Sequence, residues 1–148
     1  MKKEHLDSNN RERERLIAMV NRLTDQELSL VLYKEGWTIA VALAHIAFWD
    51  MRRIVLLKKW RQEGVTPSPS DDDVLNDTTL PFFLKLAPRE TARMAVSTAT
   101  TLDHELENLS PEMITAIESL NDRHALNRGL HRKIHLDDIE TLIGHSRS

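Results

Sequence analysis

The sequence predicts an all-α protein, a four-helix bundle with one long crossover and short extra helices. Three observations carry this. Glycine and proline are scarce, at 4 and 5 of 148 residues, and no Asn-Gly or Asp-Gly pair offers a hairpin turn. Long stretches repeat apolar residues at intervals of three and four, the period of a helix with one face in a core. Capping and stop residues bracket those stretches. A chain of 148 residues fits one domain, 1–148. A domain of this size buries about 68–70% of the surface its unfolded chain exposes, so the core needs no covalent staples.

The first helix is predicted from about Ser8 to Leu23, with Leu16, Met19, Val20 and Leu23 on one buried face. Arg11 to Arg15 alternates basic and acidic residues and reads as a solvated face. Thr24 with Glu27 three residues on forms a capping box, so a short helix follows, ended by Gly36. The second long helix takes Thr38 as N-cap and runs to about Glu63, where Gly64 stops it. From Ile39 to Trp49 every residue is apolar except His45, which places that half inside the protein. The other half turns basic and amphipathic through Arg52, Arg53, Lys58, Lys59 and Arg61.

Residues 64–87 hold Pro67, Pro69, Pro81 and the run Asp71–Asp73. They read as the crossover, with one short helix near Asp72–Asp77. Pro88 opens the third long helix. On it Ala92, Ala95, Ala99, Leu102, Leu106 and Leu109 alternate three and four apart, a bundle seam. Ser110-Pro111-Glu112 starts a short helix to about Leu120. The fourth long helix is predicted from an N-cap at Asp122 to about Ile143, with Gly144 as C-cap.

Composition excludes several function classes. There is no cysteine, hence no disulfide, no thiolate ligand and no cysteine nucleophile. The net charge of -3 lacks the basic footprint of a nucleic-acid binder. The longest uncharged run, Gly36 to Trp49, is fourteen residues, short of the roughly 20 a spanning helix needs. Neither nucleic acid nor membrane is expected as a partner. Met1-Lys-Lys-Glu-His leads into polar residues and not an apolar signal segment, so the expected location is the cytoplasm.

Chemistry is left to the seven histidines. His5 and His145 lie near the ends and read as exposed. His104, two residues past Leu102, points off the seam. His131 and His135, at i and i+4, lie about 40° apart on a helix and one turn up, which lets two imidazoles reach one ion. With His131 at zero, Ile134 falls near about -60°, Ile139 near about +80° and Leu142 near about +20°. This places the pair in the middle of the buried arc. Two charged imidazoles there would be costly, and an ion accepting both neutral rings removes that cost. Arg132 stands where a zincin would carry its catalytic Glu, which argues against that mechanism. His45 is either a neutral core histidine bonded to a carbonyl or a third ligand. Two helices of one bundle each burying histidine favour the ligand reading, because bundle cores are where such sites are built.

Gly36-Trp37-Thr38, then His45-Ile46-Ala47-Phe48-Trp49-Asp50, then His131-Arg-Lys-Ile-His135-Leu-Asp-Asp-Ile139 resemble the DinB-like superfamily. It includes the YfiT-like metal-dependent hydrolases and thiol transferases, and the metal-binding domain of mycothiol-dependent maleylpyruvate isomerase. The resemblance runs in order over nearly the whole chain. Its specific parts are the His45 motif and the final H-x3-H; the middle matches only in being helical. It implies a four-helix bundle, often a homodimer, with a metal held by one His of the second helix and two ligands four apart on the last. Here those are His45, His131 and His135.

Three neutral imidazoles leave an open coordination position, the pattern of catalytic and not closed structural zinc. Such an ion lowers the pKa of bound water toward about 7 or activates a thiolate. Imidazoles suit zinc, nickel, iron or copper, with zinc and nickel foremost. Around the triad, Asp138 is an acceptor that orients a ring or a solvated last-turn residue. His124, on the same face about 10 Å below His131, is a pocket-lining, capping or surface residue. Trp49, on the face of His45, is core or pocket wall. Arg52, on that face too, binds a substrate carboxylate or makes a simple ion pair.

Two function classes follow. In the first, an enzyme activates water or a low-molecular-weight thiol for hydrolysis or S-transfer on a small molecule. No general base stands out beside the triad. In the second, the chain is a non-catalytic metal- or small-molecule-binding stress protein. Histidines that are core residues only are the third possibility.

Overall fold

The four long helices arise from the apolar seams, and the short elements between them from capping and turn chemistry. The computed structural model describes residues 1–148. In chain order it has α1 (Lys3–Arg22), α2 (Asp25–Leu28), β1 (Val31–Tyr33), β2 (Trp37–Thr38), α3 (Ile39–Glu63), α4 (Asp72–Phe83), α5 (Pro88–Glu107), α6 (Pro111–Glu118) and α7 (Gly129–Arg147). The architecture is an all-α bundle of α1, α3, α5 and α7 with one small hairpin. The helix α3 packs chiefly on α5, and α1 on α7 and α5. No helix is long and apolar enough to cross a membrane.

The seams are buried as their periods require. Leu16, Met19, Val20 and Leu23 of the first seam are buried, as are Ala92, Ala95, Ala99, Leu102, Leu106 and Leu109 of the third. Each fully buried Leu contributes about 1.5–3 kcal/mol relative to exposure. Every residue from Ile39 to Ala47 is buried, His45 included. At the start of α3 the Thr38 hydroxyl accepts from the Val41 amide at 3.1 Å. The helix stops at Gly64, whose φ of 94° favours glycine. The capping box forms at α2: the Thr24 hydroxyl accepts from the Glu27 amide, and the Glu27 carboxylate accepts from the Thr24 amide.

Five expectations are corrected. The segment up to Gly36 is not helical beyond Leu28. Residues 31–38 fold back as an antiparallel hairpin, with Val31 facing Thr38 and Tyr33 facing Trp37. Its reversal uses two successive positive φ values, 67° at Glu35 and 82° at Gly36. A glutamate in the left-handed region is uncommon, so no familiar hairpin dipeptide marks the turn. The crossover helix is longer than Asp72–Asp77: α4 runs to Phe83 with Pro81 inside its last turns and buries no residue. It lies across α3 through a Phe48–Phe83 ring contact with centroids 6.1 Å apart, and Trp49 Nε1 donates to Asn76 Oδ1 at 3.0 Å.

The last helix begins at Gly129, not Asp122, and passes through Gly144 to Arg147. The cause lies on α1. Asn9 Nδ2 donates to the Leu126 carbonyl at 2.9 Å, and the Gly129 amide donates to Asn9 Oδ1 at 2.9 Å. This pins the preceding residues in a packed turn. A Cβ at position 129 would lie 2.2 Å from Ser8 Oγ, so only glycine fits there. At the other end the guanidinium of Arg147 donates to both oxygens of Glu27 at 2.7 Å, holding the final turn past Gly144.

The remaining corrections concern α1. It starts at Lys3 and not near Ser8, which lies inside it as a buried partner of Asn127, with Oγ donating to Oδ1 at 2.7 Å. The stretch Arg11–Arg15 is not wholly a solvated face. Glu12 is buried, and Arg13 Nη1 reaches Asp103 Oδ2 at 2.8 Å.

Candidate metal centre

His45 faces inward because its helix is apolar all round. His131 and His135 project from the first two turns of α7, directly after the turn that α1 pins. The structure brings the three together: His131 Nε2 lies 3.0 Å from His45 Nε2 and 3.2 Å from His135 Nε2. One nitrogen from each falls within 4.8 Å of the others.

Protons alone do not satisfy this cluster. A neutral imidazole has one N–H and one lone pair. If His131 Nε2 carries the proton, it donates to one neighbour and its other neighbour is left unpaired. If it accepts, its single lone pair faces two candidates, and the proton moves to His131 Nδ1. That Nδ1 is buried with no partner. A cation taking all three Nε2 lone pairs removes the conflict among those nitrogens, although it still leaves the His131 Nδ1–H without a partner, so the donor set fits a divalent ion.

The tautomer of His135 is held accordingly. Tyr33, carried in by β1, donates its hydroxyl to Asp138 Oδ2. With that proton engaged, the Tyr33 oxygen is free to accept from His135 Nδ1, 3.0 Å away. The Nδ1–H leaves a lone pair on Nε2, the atom facing the cluster. Burial, and then the bond to Asp138, raise the Tyr33 pKa above its ordinary value, so the hydroxyl stays protonated. Asp138 therefore orients a ring through Tyr33. Trp37, on β2, meets the His45 ring edge-on with centroids 5.2 Å apart.

All three imidazoles are held neutral. Burial, with the charge of His135 second, lowers His45 to about 3. Burial and then His135 push His131 far below the ordinary histidine value. Burial lowers His135 too, opposed by Asp138. Neutral rings are what a metal ion requires of its ligands.

The helical wheel is corrected in one respect. The buried face of α7 is Arg132, Leu136, Ile139 and Ile143, whereas Ile134 is 55% exposed. These place the centre of the arc about 100° from His131. The histidine pair sits on the rim of the core and not at its middle, which gives the cluster a way out to solvent. It opens on a cleft of about 600 Å³ that His45 and His131 both line.

Trp49, Arg52 and His124 line the same cleft. Arg52 makes no ion pair; its Nη2 donates to the Ser68 carbonyl at 2.7 Å and the Ser68 hydroxyl at 3.0 Å. His124 reaches the cleft from the turn before α7 and not from a helix, with its amide donating to Asp122 Oδ1 at 2.9 Å. Of the outlying histidines, His104 and His145 are exposed, and His5 is half-buried.

Three features escaped the sequence reading. Tyr33, the only tyrosine of the chain, lay in a stretch read as helix, and the hairpin that carries it has no marked turn dipeptide to reveal it. Arg53, also in the cleft wall, was read as part of a basic face. The third is a buried ion network behind the histidines. Arg132 donates from Nη1 and Nη2 to the two oxygens of Asp103 at 2.9 and 2.8 Å, and from Nε to Asp50 Oδ2 at 3.1 Å. Arg128 Nε donates to the other Asp50 oxygen at 3.0 Å. Burial opposes the charge of Arg132, but Asp50 and Asp103 outweigh it and raise its pKa. The residue beside His131 thus ties α7 to α3 and α5.

The family model of the DinB superfamily matches residues 9–147. That is nearly the whole chain, and the protein belongs to this superfamily. No curated protein and no solved structure matches it at a significant level.

Proposed function

We propose that His45, His131 and His135 hold one divalent transition-metal ion, zinc or nickel before iron. We propose further that the protein uses it as an enzyme on a small molecule bound in the adjoining cleft. The observation that carries this is the convergence of three imidazole nitrogens within 4.8 Å at the rim of the core, which no arrangement of protons satisfies. When bound, the ion supplies Lewis-acid polarisation and lowers the pKa of a water or low-molecular-weight thiol, for hydrolysis or S-transfer. Three protein ligands leave room for that molecule.

The chain's own residues contribute the rest. Tyr33 and Asp138 fix the ring of His135. Trp37 and Trp49 wall His45. The buried ion network holds the first turns of α7 against α3, so His131 and His45 keep their separation. The superfamily resemblance extends the reading to a homodimer, which sedimentation would test.

The test is metal content by mass spectrometry on tag-free protein, beside a His131→Ala/His135→Ala variant. About one transition metal per chain, lost in the variant, supports the site. Metal-loaded protein is then offered thiols with electrophiles and a panel of esters. No bound metal after incubation with zinc and nickel sinks the reading. Metal without turnover favours the alternative of a non-catalytic metal- or small-molecule-binding protein.

A further inference from the structure

Three arginines, Arg52, Arg53 and Arg128, stand in the wall of the cleft beside the histidines. Two are already engaged. Arg52 donates to Ser68 at 2.7 and 3.0 Å. Arg128 donates from Nε to Asp50 at 3.0 Å and from Nη1 to the His124 carbonyl at 2.8 Å. Arg53 is different. It is 7% exposed, and its Nε has no partner. Its only ion pair is a long one, Nη2 to Asp122 Oδ2 at 3.5 Å, and Asp122 is itself half solvated. Its guanidinium lies over the Trp60 ring, 5.6 Å from the centroid.

A buried guanidinium with an idle Nε is costly unless something completes its charge. Burial, and then the neighbouring charge of Arg128, lower Arg53 to about 10. Both effects are what an anion in the cleft would relieve. The position is also apt. His45, Trp49, Arg53 and Trp60 recur along one stripe of α3, and eight residues place Arg53 about 12 Å along the helix from His45. A cleft of about 600 Å³ matches a small-molecule site.

We infer that Arg53 is a specificity-determining residue, which grips a carboxylate on a small substrate while the substrate's other end lies at His45 and His131. The planar edge of a guanidinium pairs with a carboxylate through two parallel N–H donors. Asp72 and Asp122 also line this cleft and disfavour a dianion, so a carboxylate suits it better than a phosphate. The assignment deepens the metal reading: which end of the substrate reacts rests on that reading, whereas the anion contact does not.

The test is calorimetry and tryptophan fluorescence on the full chain, metal-free and zinc-loaded. The probes are the monocarboxylates benzoate, phenylacetate and butyrate, with benzamide as neutral isostere and phenyl phosphate as the other anion source. The carboxylates should bind, with benzamide and phenyl phosphate about tenfold weaker or worse. Arg53→Gln should lose about tenfold for carboxylates and leave benzamide unchanged. Its melting temperature should hold or rise, since an under-paired buried cation is removed. Arg53→Lys keeps the charge without the fork and should bind carboxylates between the two. Arg52→Gln should have the smaller effect. Equal affinity for benzoate and benzamide, no loss in both Arg53 variants, or no carboxylate binding overturns the inference. Tighter binding of phenyl phosphate than of every carboxylate also overturns it. Zinc and nickel binding are measured separately, against His131→Ala/His135→Ala. Carboxylate binding that needs Arg53 in a chain that takes up neither zinc nor nickel would refute the metal reading and leave the anion site standing.

Discussion

Two polar clusters lie side by side on the same pair of helices, one buried and the other at the rim of the core. His45 and Asp50 are five residues apart on α3, and His131 and Arg132 are neighbours on α7. Around Arg132 every charge meets its opposite: Asp50, Asp103, Arg13 and Arg128 close a network of bonds from 2.8 to 3.1 Å. Around His131 three groups of one kind face one another, and its Nδ1 has no partner. The first cluster is complete without any ligand and faces the core. The second is incomplete and faces a cleft. Satisfaction of the polar groups, more than burial, separates a structural cluster from a candidate site.

The largest expected effect tests the complete cluster. Arg132→Met leaves Asp50 and Asp103 buried and short of a partner. It should cost about 3–5 kcal/mol in a urea titration, a large part of the stability of an ordinary domain. His131→Ala in the metal-free protein removes an unsatisfied group and should cost clearly less. Equal losses in the two variants would erase the contrast.

Metal should act on the incomplete cluster alone. Zinc at about a hundredfold over its dissociation constant should stabilise the wild type by about 2.7 kcal/mol. It should stabilise Arg132→Met as well, where that variant folds, and leave His131→Ala unchanged. Stabilisation of His131→Ala by zinc would move the metal elsewhere.

Acid should act on the same cluster. In the metal-free protein the triad's folded pKa values lie below the ordinary 6.5, His45 at about 3. The unfolded chain therefore takes up protons first as pH falls. Stability is complete above about 6.5 and declines as pH drops toward about 3, by up to about 1.4 kcal/mol per unit for each histidine still neutral. Melting temperatures from pH 7.5 to 4.5, compared with His45→Asn, would show it. A variant as acid-sensitive as the wild type would exclude His45 as a source.

The smallest effect sharpens the boundary between the clusters. Tyr33→Phe removes the oxygen between His135 Nδ1 and Asp138 but no ligand. Metal affinity should fall about ten- to a hundredfold, with little change in metal-free stability. Calorimetry with unchanged affinity would mean that the ring of His135 is held without Tyr33.

How much was legible follows from the range of each signal. The seam Ala92–Leu106, the caps Thr24 and Thr38, the helix start at Ser110-Pro111 and the stop at Gly64 are local, and each forms as read. His45 was conspicuous because one polar residue in an apolar helix has few explanations, and His131 with His135 because i, i+4 spacing is a property of any helix. These the sequence determined by itself. The tertiary structure decided which side of α7 faces inward, so Arg132 and not Ile134 is buried. It decided where α7 starts, because Ser8 on α1 leaves no room for a side chain at Gly129. It brought Tyr33 to His135 and left Arg53 short of a partner in the cleft. A charge reads alike in sequence whether solvated or paired inside. Only helices that meet from distant parts of the chain determine which arginines are answered and which are left to bind something else.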